Sequence, residues 1–295
     1  MSLRHKNHIK GIIFAGCSFT WGQGLNYYND FPTNVYQPLG KYNKCDLSAC
    51  QIKYIERNRF PRLVANNFDS YEFVRPNNGG SNKQAIDFFN TSFNQCREID
   101  STLAVYNDGI RPVKIDHREI SHVIFQLTQP ERDCISITYE GKTYEYFDML
   151  TWLSDKKELL DKYLTSSKID LDFWIENNLR KSILRVKDFL VECETKGIKT
   201  IVTTWPYKNL KYINEDEFLK ARLLPIRYNN SIFYSMDDLM GRNGYNEEPH
   251  ERGEMIIRFD FENFITPPND MHISKKAHKV IADSIINQIK NMEMP

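Results

Sequence analysis

Two short segments at opposite ends of the chain carry residue types that can do nucleophilic chemistry. Near the start, Gly11-Ile-Ile-Phe-Ala-Gly-Cys-Ser-Phe-Thr-Trp-Gly22 runs from a brief apolar stretch through Gly16 to Ser18. Near the end, Pro267-Pro-Asn-Asp270-Met-His272-Ile-Ser274 sets a carboxylate and an imidazole two positions apart. A serine hydroxyl is a poor nucleophile until a base removes its proton, and a histidine base works best when a carboxylate fixes its tautomer. Ser18, His272 and Asp270 could supply those three parts. Each segment also has a plainer reading. Ser18 would be the polar residue of a βα turn, while Asp270 and Ser274 compete to cap a helix and His272 sits on a surface loop.

The elements that must position these residues are legible as an alternation of strand and helix. Ile12–Ala15 is long enough for a buried strand and too short for a helix. Ser18 then falls on the turn leaving its C-terminal edge, where open α/β sheets place ligands. Residues 60–68 read as a short helix with Pro61 in its first turn, where the missing N–H costs nothing. Residues 71–75 form a second strand, and Ser81 can cap a helix whose stripe is Ala85, Ile86, Phe89, Phe93 and Cys96. Residues 121–127 are a third strand, and 135–147 alternate around Glu140-Gly141 as a hairpin. A long helix over 175–195 ends at Gly197, which suits a left-handed cap, and a strand over 199–205 follows. A strand over 255–261 and a closing helix over 274–289 complete the pattern. His278 falls on that helix and is read as structural.

This alternation predicts a parallel sheet covered on both faces. The fold class expected is α/β: a flavodoxin-like three-layer α/β/α sandwich with a mostly parallel sheet of about five strands. A single domain spans 1–295, with long polar insertions at about 26–57 and 206–254, the second including a short helix near 215–223. Insertions of that length usually form lids or binding loops.

Composition narrows the partners. Lys+Arg and Asp+Glu are both 39 of 295 residues, so no basic excess marks a nucleic-acid or membrane-surface binder. No N-terminal signal and no membrane-spanning run is visible, which points to the cytoplasm. The six cysteines are scattered and expected to be reduced, and no compact Cys/His cluster supports a metal site. No cofactor is implied.

Taken together, the blocks resemble the SGNH, or GDSL-like, hydrolase family. That family carries its nucleophile at the first strand–helix turn, as at Gly16-Cys17-Ser18-Phe19, and its base just before the last helix, as at Asp270-Met-His272. Its oxyanion-hole glycine follows strand two, matched by Pro76-Asn-Asn-Gly79-Gly80-Ser81-Asn82, and Gly-Gly-Ser-Asn is similar to a subgroup found among phage and bacterial sequences. The resemblance runs from residue 11 to about 290, the two insertions excepted. It implies that Ser18 attacks an ester carbonyl, His272 serves as base and then acid, Asp270 orients it, and the N–H groups of Ser18 and Gly79 hold the oxyanion. The substrate would be a small acyl ester, with a carbohydrate O-acetyl group as one form. The α/β-hydrolase elbow fits less well, because Gly-x-Ser-x-Gly would need glycine at Thr20.

Three departures accompany the resemblance. Cys17 stands where the family usually has Asp. The spacing is Asp-x-His rather than Asp-x-x-His, leaving Asn269 or another acid as rival orienting groups. Thr128-Gln129-Pro130-Glu131-Arg132 replaces a Gly-x-Asn block whose Asn completes the oxyanion hole. Losing one such donor typically costs about 10²–10³-fold in turnover. Asn82, on the Gly79 turn, and Gln129 are candidate substitutes. Arg132 pairs either with an anionic group of the substrate or with Glu131 or Asp133. Trp205 either walls the pocket or packs in the core. The alternative function is a catalytically inert binding module or a viral structural module on the same fold.

Overall fold

The computed structural model describes residues 11–22, 24–25, 49–74, 80–95, 104–106, 117–146, 148–244, 264 and 272–293. At its centre lies a five-stranded sheet of β1 (Gly11–Ala15), β2 (Tyr71–Val74), β3 (Ala104–Tyr106), β4 (Ile120–Leu127) and β7 (Lys199–Thr204), in spatial order β3-β2-β1-β4-β7. Four of these run parallel, and β3 alone is antiparallel, on β2. β5 (Ile135–Tyr139) and β6 (Lys142–Tyr146) form a separate hairpin, as do β8 (Ile226–Tyr228) and β9 (Ser231–Phe233).

The helices are α1 (Ser18–Trp21), α2 (Ala49–Asn58), α3 (Phe60–Asn67), α4 (Asn82–Gln95), α5 (Met149–Leu153), α6 (Lys157–Ser167), α7 (Leu171–Thr195), α8 (Asn209–Asn214), α9 (Glu217–Lys220), α10 (Met236–Gly244) and α11 (Lys275–Glu293). Side chains alternate across a strand, so each strand feeds two cores. Ile13, Ala15, Val123, Phe125, Leu127 and Val202 pack with Ala85 and Phe89 of α4 and Val186 and Leu190 of α7. Ile12, Phe14, Ile124 and Ile201 face the other way, onto Phe60 and Val64 of α3, Met236 of α10 and Ile281 and Ile285 of α11. Helices thus cover both faces, an arrangement compatible with a three-layer sandwich.

The local chemistry explains the boundaries. Ser81 and Gln84 form a reciprocal capping box at the start of α4: Gln84 N–H donates to Ser81 Oγ and Ser81 N–H to Gln84 Oε1, each at 3.2 Å. Glu140 (φ 48°) and Gly141 (φ 72°) both take left-handed backbone, which a tight two-residue hairpin turn requires.

Two expected insertions are more regular than their composition suggests. Residues 49–58 form α2, whose Ile55 is buried against Leu25. Residues 209–244 carry the short helix expected near 215–223, as α9, and add α8, the β8–β9 hairpin and α10. Elements of three to nine residues show little period, yet each contributes a buried anchor, such as Ile213, Leu219, Ile226 or Met236. Leu224 N–H bonds Val202 O at 2.7 Å, tying this segment to the β7 edge. α5 and α6, unread in the sequence, join the β5–β6 hairpin around Trp152, Leu160 and Trp174 in a satellite core. The expected strand at 255–261 lies outside the described residues. No described helix is long and apolar enough to cross a membrane.

Candidate active site

β1 has β2 on one side and β4 on the other, so the strand order switches sides at β1 while β1 and β4 stay parallel. Ligands of open α/β sheets bind in the crevice such a switch leaves at the carboxyl ends of the strands. Ser18 leaves β1 at that edge, and Thr128 to Arg132 leave β4 beside it.

The turn carrying Ser18 is fixed from across the sheet. Gln126, fully buried near the end of β4, presents its Oε1 to Cys17 N–H at 3.2 Å, Cys17 Sγ at 3.3 Å and Thr20 Oγ1 at 3.0 Å. Its Nε2 donates to Leu127 O at 2.9 Å, which sets the amide's orientation. Gly16 permits this approach: a Cβ there would sit 2.2 Å from Thr20 Oγ1 and 2.8 Å from Gln126 Oε1. Gly22, in left-handed backbone at φ 91°, ends α1 by donating its N–H to Ser18 O at 3.0 Å. Arg59 donates to Trp21 O at 3.3 Å, and is itself held by Glu72 Oε1 at 2.7 Å. Arg62 takes the other oxygen of Glu72 at 2.8 Å.

The histidine arrives from the far end of the chain. His272 Nε2 lies 2.7 Å from Ser18 Oγ, though 254 positions separate the two. The start of α11 holds it there: Ser274 Oγ accepts Ala277 N–H at 3.1 Å as the cap, and Ser274 N–H bonds Phe264 O at 2.8 Å. Ser274 therefore fills a capping role, as one of its sequence readings has it. One turn further on, fully buried His278 accepts Phe60 N–H on Nδ1 at 3.2 Å and stacks on the Phe60 ring. Burial, followed by the nearby charges of His272 and Arg59, pushes its pKa down to about 3, so it is a neutral docking group.

Aromatic rings wall the pair. Phe19 packs against the His272 ring with centroids 4.9 Å apart and stacks on Trp205 at 4.6 Å. The Arg132 guanidinium covers the Trp205 ring, 5.3 Å from its centroid, and its Nε donates to Gln129 Oε1 at 3.1 Å. Trp205 thus belongs to the wall of the site while remaining partly packed in the core.

No family model, curated protein or solved structure matches the chain. The geometry therefore carries the functional argument by itself. It brings together Ser18, His272, Gln129 and Arg132 along one edge. Asp270, its rival Asn269, and Gly79 lie outside the described residues. Asn82 sits in the first turn of α4 with its amide engaged: Oδ1 accepts Thr128 N–H at 3.0 Å and Nδ2 donates to Ser182 Oγ at 3.2 Å. That position makes it a brace for the β4 exit. Cys17 is buried, with its Sγ 3.9 Å from Ser18 Oγ. Among the described residues, no His, Cys, Asp or Glu cluster could hold a metal ion.

Sequence reasoning did not find Gln126, nor the Arg59–Glu72 pair. The signal for Gln126 was available: one amide inside the apolar run Val123-Ile-Phe-Gln126-Leu127 must find a buried partner. Glu72 gave a similar sign, as a carboxylate inside a strand beside β1.

Proposed function

We propose that this chain is a serine ester hydrolase in which Ser18 is the nucleophile and His272 the general base. The single observation that carries the reading is the 2.7 Å separation of Ser18 Oγ and His272 Nε2 at the switch-point edge of a parallel sheet. On attack, Ser18 Oγ would bond to the ester carbonyl carbon while its proton passes to Nε2. The same proton would then go to the departing alcohol. Water, activated by the same nitrogen, would release the acid from acyl-Ser18. Cys17 N–H is taken by Gln126, so the Ser18 N–H is the first donor of the α1 turn available to a developing oxyanion. In the resemblance to SGNH hydrolases, Gly79 supplies a second such donor and Asp270 orients the histidine. The flavodoxin-like sandwich, the single domain and a small acyl or carbohydrate ester as substrate belong to the same proposal. So does the absence of a cofactor, nucleic-acid or membrane partner.

A fluorophosphonate probe tests the reading. Ser18 should be labelled at pH about 7–8, where a histidine base is neutral, and Ser18→Ala and His272→Ala should abolish or greatly slow labelling. Labelling that survives in Ser18→Ala, or none in the native chain, would refute it. One observation favours a second reading, an inert binding module: the Asn82 amide is committed to Thr128 and Ser182, leaving the missing oxyanion Asn without an evident substitute there. In that case the native chain would bind ligand yet show no turnover.

A further inference from the structure

At the site edge, Arg132 is a cation that the acids beside it do not pair. Each acid beside it has another partner. Glu131 is paired with Lys208. Asp133 accepts Ser182 Oγ at 2.5 Å, Lys83 N–H at 2.9 Å and Arg185 at 3.3 Å. Asp237, whose N–H donates to Trp205 O at 3.1 Å, accepts Tyr207 N–H at 3.2 Å and a hydrogen bond from the Trp205 side chain. Among the described residues, Arg132 therefore has no carboxylate partner; its side chain donates to Gln129 Oε1 and makes a cation–π contact with the Trp205 ring.

Those two contacts hold the guanidinium without using its recognition edge. Nε–H is spent on Gln129 and the guanidinium carbon lies 5.3 Å from the Trp205 ring centroid, while Nη1 and Nη2 donate to none of the described residues. They form the planar fork that matches a carboxylate with two parallel hydrogen bonds. The fork stands on the same wall as the histidine, because Trp205 stacks on Phe19 and Phe19 packs on His272. A charge half-buried beside aromatic rings gains from a desolvated counter-ion more than one in open water does.

We propose that Arg132 is a substrate-specificity residue and that the ester cleaved at Ser18 carries a carboxylate elsewhere in its acyl or alcohol part. This rests on the hydrolase reading above. A single fork of one charge fits a carboxylate better than a phosphate dianion, since Lys208, the other nearby cation, is already paired.

The test compares an anionic with a neutral substrate: mono-4-nitrophenyl glutarate and 4-nitrophenyl butyrate. The quantity read is the ratio of their kcat/KM values. Arg132→Met keeps a long stem over Trp205 and should lower that ratio about 10- to 100-fold, the usual worth of a charge-assisted hydrogen bond. The loss should appear mainly in KM for the anionic ester. Arg132→Lys, which keeps the charge and loses the fork, should fall between. An unchanged ratio in Arg132→Met would overturn the proposal. A separate arm needs no turnover. Calorimetry on the Ser18→Ala protein should show glutaramate binding at least about tenfold tighter than butyramide, a preference that adding Arg132→Met should remove. Equal binding of the two amides would overturn the anion site. Clear preference with no hydrolysis of either ester would overturn the esterase reading and leave the Arg132 site standing.

Discussion

His278 should make the fold acid-sensitive in a measurable way. Its ring is fully buried, it accepts Phe60 N–H on Nδ1, and its pKa is held at about 3 against an ordinary 6.5. The sign follows from linkage: in the unfolded chain this histidine takes up a proton as the pH falls through about 6.5, while in the folded chain it stays neutral down to about 3. Acid therefore favours the unfolded chain, and stability is lost progressively below the unfolded pKa. Between about pH 7.5 and pH 5 this one group should cost about 2 kcal/mol of folding free energy. His278→Asn isolates that contribution, because its Oδ1 can accept the Phe60 N–H and cannot titrate. At about pH 7.5 the variant should be less stable by about 1–2 kcal/mol, for the lost ring packing. By about pH 5 the gap should have closed or reversed, since only the native chain pays the proton penalty. Urea denaturation of both proteins at the two pH values reads this directly, because carboxylates and other histidines titrate in both and cancel. Parallel pH dependences, with the same gap at both values, would refute the reasoning.

Other substitutions test how the nucleophile turn is held. Gln126→Leu should strand the Cys17 N–H and Thr20 hydroxyl, costing about 2–4 kcal/mol in urea denaturation; fluorophosphonate labelling should slow at least about tenfold, and labelling at the native rate would remove Gln126 from the positioning role. Gly16→Ala should force Thr20 and Gln126 apart, with an overpacking cost of about 1–3 kcal/mol and loss of labelling. Glu72→Gln should cost about 3–5 kcal/mol, because it removes the buried charge that Arg59 and Arg62 both pair with; a denaturation midpoint like the native one would contradict that.

The strands and long helices were readable because their periods are strong. Ile12–Ala15, the 121–127 run and the helix ending before Gly197 all carry an apolar pattern longer than one turn or bounded by a distinct stop. The closing helix was equally plain; Ser18 and His272 each had a plainer reading, and only the resemblance to a known family set them side by side. What stayed hidden was of two kinds. Short elements such as α8 and the β8–β9 hairpin are stabilised by where they dock, so their sequences look like loop. Side-chain partnerships across the sheet were the second kind. Arg132 sits between two acids in sequence, yet Lys208 and Arg185 take those acids in space. Asn82 offered an amide on the expected turn, and that amide is turned instead to Thr128 and Ser182. Neither outcome follows from local spacing, because the partners lie 46 to 100 positions away.

The 254 positions between Ser18 and His272 have a temporal meaning as well as a spatial one. The described parallel strands, from β1 to β7, are made before residue 205, but the histidine reaches the serine only when α11 docks on α3. At translation rates of about 5–20 residues per second, a nascent chain would carry its nucleophile for tens of seconds with no base to activate it. Docking of α11 and onset of reactivity would then be one event, so probe labelling of Ser18 would serve as a clock for arrival of α11 during refolding.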